Sequence, residues 1–440
     1  MNRHFNAILA AFTMLFALFT ANPALAADTY SILSQFSKTQ SANGMNPHGG
    51  LIFDNAGNLY GTTIDGGANG GDPMANPADG SNGVGGVVYE LVPDGGGSWT
   101  EKVLYNFCSL ANCADGENPL DSLIFDANGN LYGIADLGGA NNAGVVYELK
   151  PGADGNWTES VLYSFCPVKG CADGSEPWSS LIFDKAGNIY GTTKGGGANN
   201  HGAAFELIPG ANGTWTEKVL YSFCSLEDCA DGERSVGSLI FDTHGNLYGT
   251  TYGGGVYTNS GCQGFESTCG TVYKLIPGKD GTWTEKVLHS FNFSNGAGSE
   301  TGLILDANGN LYGTTTRGGY QANGVGVAFE LSPKPSGGWT EIVLHSFPGT
   351  DGYLLSPLTF DNAGVLYGTI NGHLGTAYGA VFKLVPNGNG TWKEDILHAF
   401  DHSDGSGPIG TLLLDSAGDI YGTAFSGGPG AQGVAFEITH

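Results

Sequence analysis

The sequence predicts an all-β protein, a seven-bladed β-propeller whose blades are four-stranded antiparallel sheets. Three observations support this: a hairpin motif that recurs seven times, four strand signals per repeat, and an N-terminal strand signal that the last repeat lacks. Successive copies of the motif start 54 to 72 residues apart, and a period of this length is typical of stacked supersecondary units. In its fullest form the motif reads LIFDxxGNLYGTT, and its copies begin at Leu51, Leu123, Leu181, Leu239, Leu303, Leu358 and Leu412.

Each repeat contains four short β signals separated by turn residues. The apolar SLIFD segment and NLYGTT form a hairpin across a turn whose glycine can adopt the positive φ of a tight turn. A Gly-rich loop leads to the third strand, such as GVVYEL at 144–149, and a PGxxGxW turn leads to the fourth, such as WTEKVLYSF at 215–223. The fourth segment alternates as a half-buried strand does, and no segment has a sustained helical period.

The two ends of the chain predict how the ring closes. The last repeat stops after GVAFEITH and has no fourth strand, whereas residues 29–36, TYSILSQF, resemble the fourth-strand segment TEKVLYSF. We expect this N-terminal strand to complete the last blade. A β-solenoid is the alternative architecture, but its period is usually much shorter.

The first 26 residues have the pattern of a secretory signal. Arg3 supplies the positive charge, residues 8–20 are apolar, and residues 24–26 have the small residues of a cleavage site. The apolar run is too short to span a bilayer comfortably. We therefore expect a signal peptide at 1–26 and a single propeller domain at 27–440. This domain is predicted to be secreted or periplasmic, monomeric, and not inserted in a membrane.

The chain is strongly acidic, with 42 Asp and Glu against 16 Lys and Arg and a formal net charge of −26. Such a surface repels nucleic acids and anionic membranes. It favours cations, basic partners or neutral ligands such as glycans. We therefore expect no nucleic-acid partner.

Eight cysteines in an exported chain predict disulfides. Three pairs share the pattern CxxxxCADG, and pairing within each loop is the simplest connectivity. A zinc site is the alternative, but the spacing is not C-x-x-C and no histidine pair accompanies it. The expected pairs are Cys108/Cys113, Cys166/Cys171, Cys224/Cys229 and Cys262/Cys269.

The repeat resembles the GloVer tandem-repeat family of exported bacterial proteins. The resemblance rests on LIFDxxGNLYGTT, the GG loop after it and GVVYELxP, which recur in phase over nearly all of the chain after residue 26. It implies no activity and no catalytic residues. Members of the family often end in a surface-anchoring segment, whereas this chain ends at His440 just after its last strand signal, so we do not expect covalent surface attachment.

Residues repeated in every unit are interpreted as structural. The hairpin aspartate, Asp54 in the first copy, caps its own turn rather than forming a calcium loop, which would need a later bidentate glutamate. The hairpin tyrosine, Tyr60 in the first copy, and the tryptophan that starts the fourth strand, Trp99, are expected to pack between blades. His289, His345 and His398 occupy a slot that other repeats fill with tyrosine, so an aromatic-sized slot explains them better than catalysis does.

Candidate functional residues lie where the copies differ, in the loops of one propeller face. One group of candidates is the carboxylates in and after the CADG segments, together with Glu300, Asp351 and Asp404 in later repeats. These side chains would bind a cation or a polyhydroxylated ligand at the mouth of the central channel. The alternative is that they are solvated turn residues. Trp178 lies outside the repeated tryptophan slot and offers a flat face for a sugar ring, or else fills a gap beneath its loop. Tyr353 lies in a comparable loop. The CADG-loop candidates are Asp115, Glu117, Asp173, Glu176, Asp231 and Glu233.

Two Gly-rich loops are enlarged, between Gly61 and Gly86 and between Gly249 and Gly270. Long loops on a rigid scaffold often carry recognition, although tolerated surface insertions are the alternative. The first loop contributes Asp65, Asp72 and Asp79, and the second contributes Tyr252, Tyr257 and Phe265.

The leading functional hypothesis is a non-enzymatic recognition or scaffold module that binds glycans or another surface polymer. The sequence contains no phosphate-binding GxxxxGK[ST], no GxSxG and no HExxH, and therefore no compact catalytic signature. The alternative is a polysaccharide lyase or glycosidase with carboxylates at the channel mouth, because propellers carry both enzymes and binding proteins. No cofactor and no metal ligands are predicted; a divalent cation in the central channel is a third hypothesis.

Overall fold

A computed structural model of the chain describes residues 28–70, 85–259, 262, 268–319, 324–349, 352–372, 378–388 and 390–439. The predicted signal peptide and the candidates Asp72, Asp79, Phe265 and Asp351 lie outside these residues. The described part contains 31 strands, numbered here β1 to β31 in chain order. They form seven separate antiparallel sheets, which are the seven predicted blades.

The strands of each blade are given in chain order. Blade 1 has β2 (Met45–Pro47), β3 (Ile52–Phe53), β4 (Leu59–Asp65), β5 (Val87–Pro93) and β6 (Trp99–Asn106). Blade 2 has β7 (Glu117–Phe125), β8 (Leu131–Leu137), β9 (Val145–Pro151) and β10 (Trp157–Ser164). Blade 3 has β11 (Ser175–Pro177), β12 (Ile182–Phe183), β13 (Ile189–Gly195), β14 (Ala203–Pro209) and β15 (Trp215–Ser222). Blade 4 has β16 (Ile240–Phe241), β17 (Leu247–Thr251), β18 (Thr271–Pro277) and β19 (Trp283–Ser290).

The remaining blades follow the same order. Blade 5 has β20 (Ile304–Leu305), β21 (Leu311–Thr314), β22 (Val327–Pro333) and β23 (Trp339–Ser346). Blade 6 has β24 (Thr359–Phe360), β25 (Leu366–Ile370), β26 (Ala380–Pro386) and β27 (Trp392–Ala399). Blade 7 has β28 (Ser406–Pro408), β29 (Leu413–Leu414), β30 (Ile420–Ser426) and β31 (Ala431–Thr439), and its outer strand is β1 (Thr29–Ser37).

The N-terminal strand closes the ring, as the sequence predicted. β1 pairs antiparallel with β31, with Ile32 opposite Phe436. Phe36 is completely buried and packs against Tyr89 of blade 1, with ring centroids 5.2 Å apart. The first and last strands of the chain therefore share one sheet, which is packed against the next blade.

Helical structure in the described residues is limited to short 3₁₀ turns. They lie at Lys38–Asn43, Ala111–Cys113, Ala211–Gly213 and Glu227–Cys229. None of the helices in the described part of the chain has the length and apolar character needed to cross a membrane. The four disulfides join the predicted pairs, Cys108–Cys113, Cys166–Cys171, Cys224–Cys229 and Cys262–Cys269.

The repeated hairpin residues hold each blade together. Asp54 Oδ1 accepts hydrogen bonds from the amide groups of Ala56 at 2.8 Å and Asn58 at 2.9 Å, so it caps its own turn as predicted. The hydroxyl of Tyr60 donates to Glu90 on the next strand at 2.9 Å. These contacts satisfy turn and strand groups locally, which explains why the residues recur.

Aromatic contacts and threonine hydroxyls connect neighbouring blades. Trp157 of blade 2 packs edge-to-face on Tyr60 of blade 1, and Trp283 of blade 4 packs in the same way on Tyr190 of blade 3. In five blades a threonine of the second strand donates to a backbone carbonyl of the next blade, as Thr250 does to Thr301 at 2.9 Å. The repeated positions therefore build the ring itself.

The first strand of a blade is interrupted near the propeller axis. In blade 3, Ser175 and Pro177 pair with the second strand, pairing stops, and it resumes at Ile182. Blades 1 and 7 have the same two-piece strand. Released from regular pairing, the residues between the pieces provide side chains that line the axis.

Candidate functional site

A narrow cavity of about 50 Å³ lies on the propeller axis, and each of the seven blades contributes to its wall. We call it the axial cavity. Six of its lining residues are polar or ionisable, and they lie at positions where the blades differ. The lining residues in the described part of the chain are His48, Asp121, Trp178, Val236, Ser238, Glu300, Thr301, Gly302, Leu355, Pro357, Ile409 and Thr411.

One position of the repeat supplies half of the residues that line this cavity. It lies three residues before the hairpin leucine, in the interruption of the first strand, and we call it the axial slot. From blade 1 to blade 7 it holds His48, Leu120, Trp178, Val236, Glu300, Leu355 and Ile409. Blade 2 is the exception: its strand register shifts between Leu120 and Ile124, Leu120 is buried, and Asp121 lines the cavity instead.

A wider pocket of about 220 Å³ adjoins the axial cavity, and the two share Trp178, Val236 and Glu300. We call it the mouth pocket. Lys194 and Tyr252 also line it, and both lie four residues after a hairpin tyrosine, at the end of a second strand. The mouth pocket is therefore built by blades 3, 4 and 5, on one side of the axis. Its described lining is Trp178, Lys194, Arg234, Val236, Tyr252 and Glu300.

Trp178 is half-buried, and charged or aromatic groups surround its ring. Lys194 Nζ lies 4.3 Å from the ring centroid, a cation–π distance. The imidazole of His48 approaches the indole edge-to-face with centroids 6.5 Å apart. Lys194 Nζ is also 3.9 Å from the exposed carboxylate of Glu176. In this arrangement the lysine covers the aromatic face that a ligand would use.

Tyr252 forms the wall on the blade 4 side. Its ring lies so close to Gly298 that a Cβ atom there would come within 3.0 Å of the Tyr252 ring carbon Cε2. Burial, with a smaller contribution from the charge of Glu300, raises the pKa of Tyr252 to about 12 against the opposing charges of Arg317 and Arg234. The phenol is therefore protonated at neutral pH and can donate a hydrogen bond.

The sequence has two arginines after Arg3. Arg234 lines the mouth pocket, and Arg317 is close enough to act on its residues Tyr252 and Glu300. Each acts electrostatically on Tyr252, and Arg317 also acts on Glu300. Burial raises the pKa of Glu300 to about 7, against the opposing effects of Arg317 and Lys194. Glu300 is thus a carboxyl group that changes charge near neutral pH between cationic neighbours.

The floor of the axial cavity contains a histidine and an aspartate. Burial lowers the pKa of His48, and the charge of Asp121 opposes this. Asp121 accepts hydrogen bonds from the amide groups of Ser122 at 2.7 Å and of Ser180, in the next blade, at 2.6 Å. Its position is thus fixed by backbone donors of two blades.

Two of the aromatic candidates from the sequence, Trp178 and Tyr252, meet in the mouth pocket. Tyr353 pairs its backbone with Asn371 and is close enough to influence the pKa of Tyr252. Tyr257 is exposed and lines neither the mouth pocket nor the axial cavity as described.

The three CADG aspartates are buried inside their own loops. Asp231 accepts hydrogen bonds from the hydroxyl of Tyr221 at 2.6 Å and from the amide groups of Ser225 and Leu226. Asp115 and Asp173 hold their loops in the same manner. They therefore stabilise loops and do not face the axial cavity.

The candidate glutamates are distributed differently. Glu176 is exposed beside Lys194, and Glu233 is buried with its Oε2 atom 2.7 Å from His201 Nδ1. Glu117 lines a separate outer pocket beside the Cys108–Cys113 loop. None of the three belongs to the described lining of the mouth pocket or the axial cavity.

One cluster of histidine and cysteine side chains has the spacing of metal ligands. In the described residues, a ligand nitrogen of His201 and the sulfurs of Cys224 and Cys229 lie within 4.8 Å of one another. The two sulfurs form a disulfide, so neither is a thiolate that could bind a metal.

Sequence reasoning did not select Lys194, Arg234, Arg317, His48 or Asp121. Two signals could have revealed them. Arginine is rare in this chain, and both copies after Arg3 fall in variable loops. Aligning the repeats on the hairpin leucine also shows that the axial slot changes chemical character from blade to blade.

Comparison with known proteins identifies a family and several structures of similar fold. The model of the Gloeobacter/Verrucomicrobia repeat family matches residues 74–263 and 258–440, and no curated protein matches. A protein of unknown function from Dyadobacter fermentans DSM 18053 is 13% identical, with a TM-score of 0.45 over 94% of this chain and 99% of its own. Two structures of an ulvan lyase of polysaccharide lyase family PL25 also match, one of them bound to -[GlcA(1-4)Rha3S]-. Each is 11% identical to this chain, with a TM-score of 0.48, and the match covers 90% of this chain and 93% of the lyase chain.

Proposed function

The chain belongs to the Gloeobacter/Verrucomicrobia repeat family, and we propose that it is an exported recognition module that binds a saccharide in the mouth pocket. The observation that carries the proposal is the meeting of Trp178 and Tyr252 at one concave site with several polar groups. Aromatic faces bind the apolar faces of sugar rings, and binding pockets typically combine aromatic walls with a few oriented polar groups.

The size of the pocket limits what enters it. Its volume of about 220 Å³ is below the roughly 300–1,000 Å³ of sites for drug-sized ligands. One sugar ring or chain end would therefore occupy the pocket, and the rest of a polymer would lie across the face of the propeller. This fits recognition of a surface polymer better than enclosure of a whole oligosaccharide.

A glycan array with the chain from residue 27 onward tests the proposal. Trp178→Ala should abolish binding, because it removes the flat face that stacks on the sugar. Tyr257→Ala is the matched control, since it removes an exposed aromatic side chain outside the mouth pocket. Unchanged binding by Trp178→Ala, or an absence of saccharide binding by a correctly folded protein, would contradict the proposal.

A polysaccharide-cleaving enzyme is the second candidate, and one observation favours it. Glu300, with a pKa raised to about 7, and His48, with a lowered pKa, line the same cavity as Asp121. Perturbed ionisable groups that share a cleft are candidates for acid–base catalysis. Incubation with polysaccharides and measurement of new chain ends separates the two functions: binding without products supports recognition, whereas products lost in Glu300→Gln support an enzyme.

A further inference from the structure

We infer that the ligand of the mouth pocket is an anionic saccharide, whose carboxylate or sulfate group is held by Lys194, Arg234 and Arg317. This inference rests on the proposed saccharide-binding function and names the chemical class of the ligand. It reverses the expectation from net charge alone, which favoured cations, basic partners or neutral ligands.

The charge of the mouth pocket is opposite to that of the chain as a whole. The chain carries 42 acidic against 16 basic residues, yet the described lining of the mouth pocket has two cations, Lys194 and Arg234, and one carboxyl group, Glu300. Arg317 adds a third positive charge close enough to act on Glu300. Positive charge is thus concentrated at this site of an acidic chain, although Glu176 lies 3.9 Å from Lys194, and charges interact more strongly where water is partly excluded.

Two of the three cations at the mouth pocket are arginines. Arginine is used twice after Arg3, and both copies act on the same tyrosine, Tyr252. The planar guanidinium group offers a fork of donors that matches the paired oxygens of a carboxylate or sulfate. The distant lysines of the blades show no comparable convergence: Lys102 and Lys218, for example, bond to turn carbonyls of the next blade.

Lys194 covers the face of Trp178. A ligand that stacks on this ring must move the ammonium group, and a cation–π contact contributes about 0.5–1 kcal/mol at exposed sites. A neutral sugar would displace the lysine and offer it only hydroxyl and ring oxygens as hydrogen-bond acceptors. An anionic sugar would instead attract the lysine as its counter-ion, so that stacking and ion pairing occur together.

Binding is tested with oligogalacturonate, which carries carboxylates only, and κ-carrageenan oligosaccharides, which carry sulfates only. Each is compared with its charge-neutralised form, the methyl ester or the desulfated sugar. These pairs differ in charge but retain the sugar backbone. At least one anionic probe should bind, its affinity should fall with added salt, and its neutralised form should bind about tenfold or more weakly, as expected for loss of charge-assisted hydrogen bonds.

Variants of the protein connect the effect to the site. Arg234→Gln and Arg317→Gln should each weaken binding of the anionic probe about tenfold, the scale of one charged hydrogen bond. Lys169→Gln is the matched control, because it removes one positive charge from an exposed loop position outside the described pocket lining. Thermal unfolding of each variant identifies any that does not fold, and Arg317→Lys, which keeps the charge, should recover part of the affinity.

The outcomes separate this inference from the proposed function. Equal binding of neutral and anionic probes, or binding that both arginine variants leave unchanged, would overturn the inference while saccharide recognition stands. An absence of binding to any saccharide, neutral or anionic, would overturn both. Carboxylate-specific or sulfate-specific binding would each support the inference and would identify the anionic group.

Discussion

Closure of the ring by the N-terminal strand makes a quantitative prediction for Phe36→Ala. Phe36 on β1 is completely buried and packs on Tyr89 of the next blade, with centroids 5.2 Å apart. Phe223, at the same position of the fourth strand of blade 3, is also completely buried and packs on Tyr273 at 5.0 Å. The second residue comes from an uninterrupted part of the chain, so it is a matched internal reference.

Removal of a buried phenylalanine costs about 3–5 kcal/mol of unfolding free energy, because apolar contact is lost and a cavity remains. Since the two sites have equal burial and similar aromatic neighbours, Phe36→Ala and Phe223→Ala should cost similar amounts. If β1 were only loosely attached, the loss from Phe36→Ala would be limited by the small free energy of detaching the strand. The ratio of the two costs therefore measures how firmly the ring is closed.

Guanidinium-induced unfolding followed by tryptophan fluorescence gives both costs by linear extrapolation. Hydrogen exchange of the β1 and β31 amides shows whether the strand opens before the rest of the ring. The prediction is refuted if Phe36→Ala lowers the free energy of unfolding by less than about 1 kcal/mol while Phe223→Ala lowers it by about 3–5 kcal/mol. In that case β1 would not be an integral part of the core.

Two further predictions concern stability. Burial and the adjacent CADG aspartates raise the pKa values of Glu159, Glu217 and Glu285 to about 8, 7 and 8 from an ordinary 4.5. Between pH 4.5 and about 8 the folded chain then binds more protons than the unfolded chain, so the free energy of unfolding should rise as pH falls from about 8 towards 5. In melting curves, Glu285→Gln should reduce this pH dependence. A stability that does not change with pH over this range would contradict the prediction. Thr250→Val should cost about 1 kcal/mol, because it removes a hydrogen bond between blades. Thr192→Val should be nearly neutral, because Thr192 Oγ1 is buried without a partner among the described residues. Equal costs of the two variants in chemical denaturation would exclude this explanation.

The sequence predicts the blades well because a blade is specified locally. The turn at Asp54, the glycine after it and Tyr60 lie within seven residues, and their hydrogen bonds form within one hairpin and its neighbouring strand. Seven copies in phase make each assignment support the others. Ring closure was also predictable, because the last repeat lacks one strand and the N-terminal segment has the matching pattern.

The candidate site was less predictable, because it depends on distances across the ring. Trp178, Glu300 and His48 belong to three blades and meet only when the ring closes. Residue type was also a poor guide to exposure. Asp231 was selected as a ligand-binding carboxylate, yet the amide groups of its tight loop need an acceptor, and this need explains its burial. Asp121 reaches the axis through a register shift that the sequence pattern does not reveal.

The axial slot explains how one chain combines a repetitive fold with an asymmetric site. The interruption of the first strand removes these residues from regular pairing, so they can change without loss of the β ladder. Blades 6 and 7 place Leu355 and Ile409 there, while blades 3 and 5 place Trp178 and Glu300. Leu355 and Ile409 close one side of the axial cavity, whereas Trp178 and Glu300 line the mouth pocket together with Lys194. We therefore expect substitutions in blades 3, 4 and 5 to change saccharide binding. Exchange of Leu355 or Ile409 for another apolar residue should leave it unchanged.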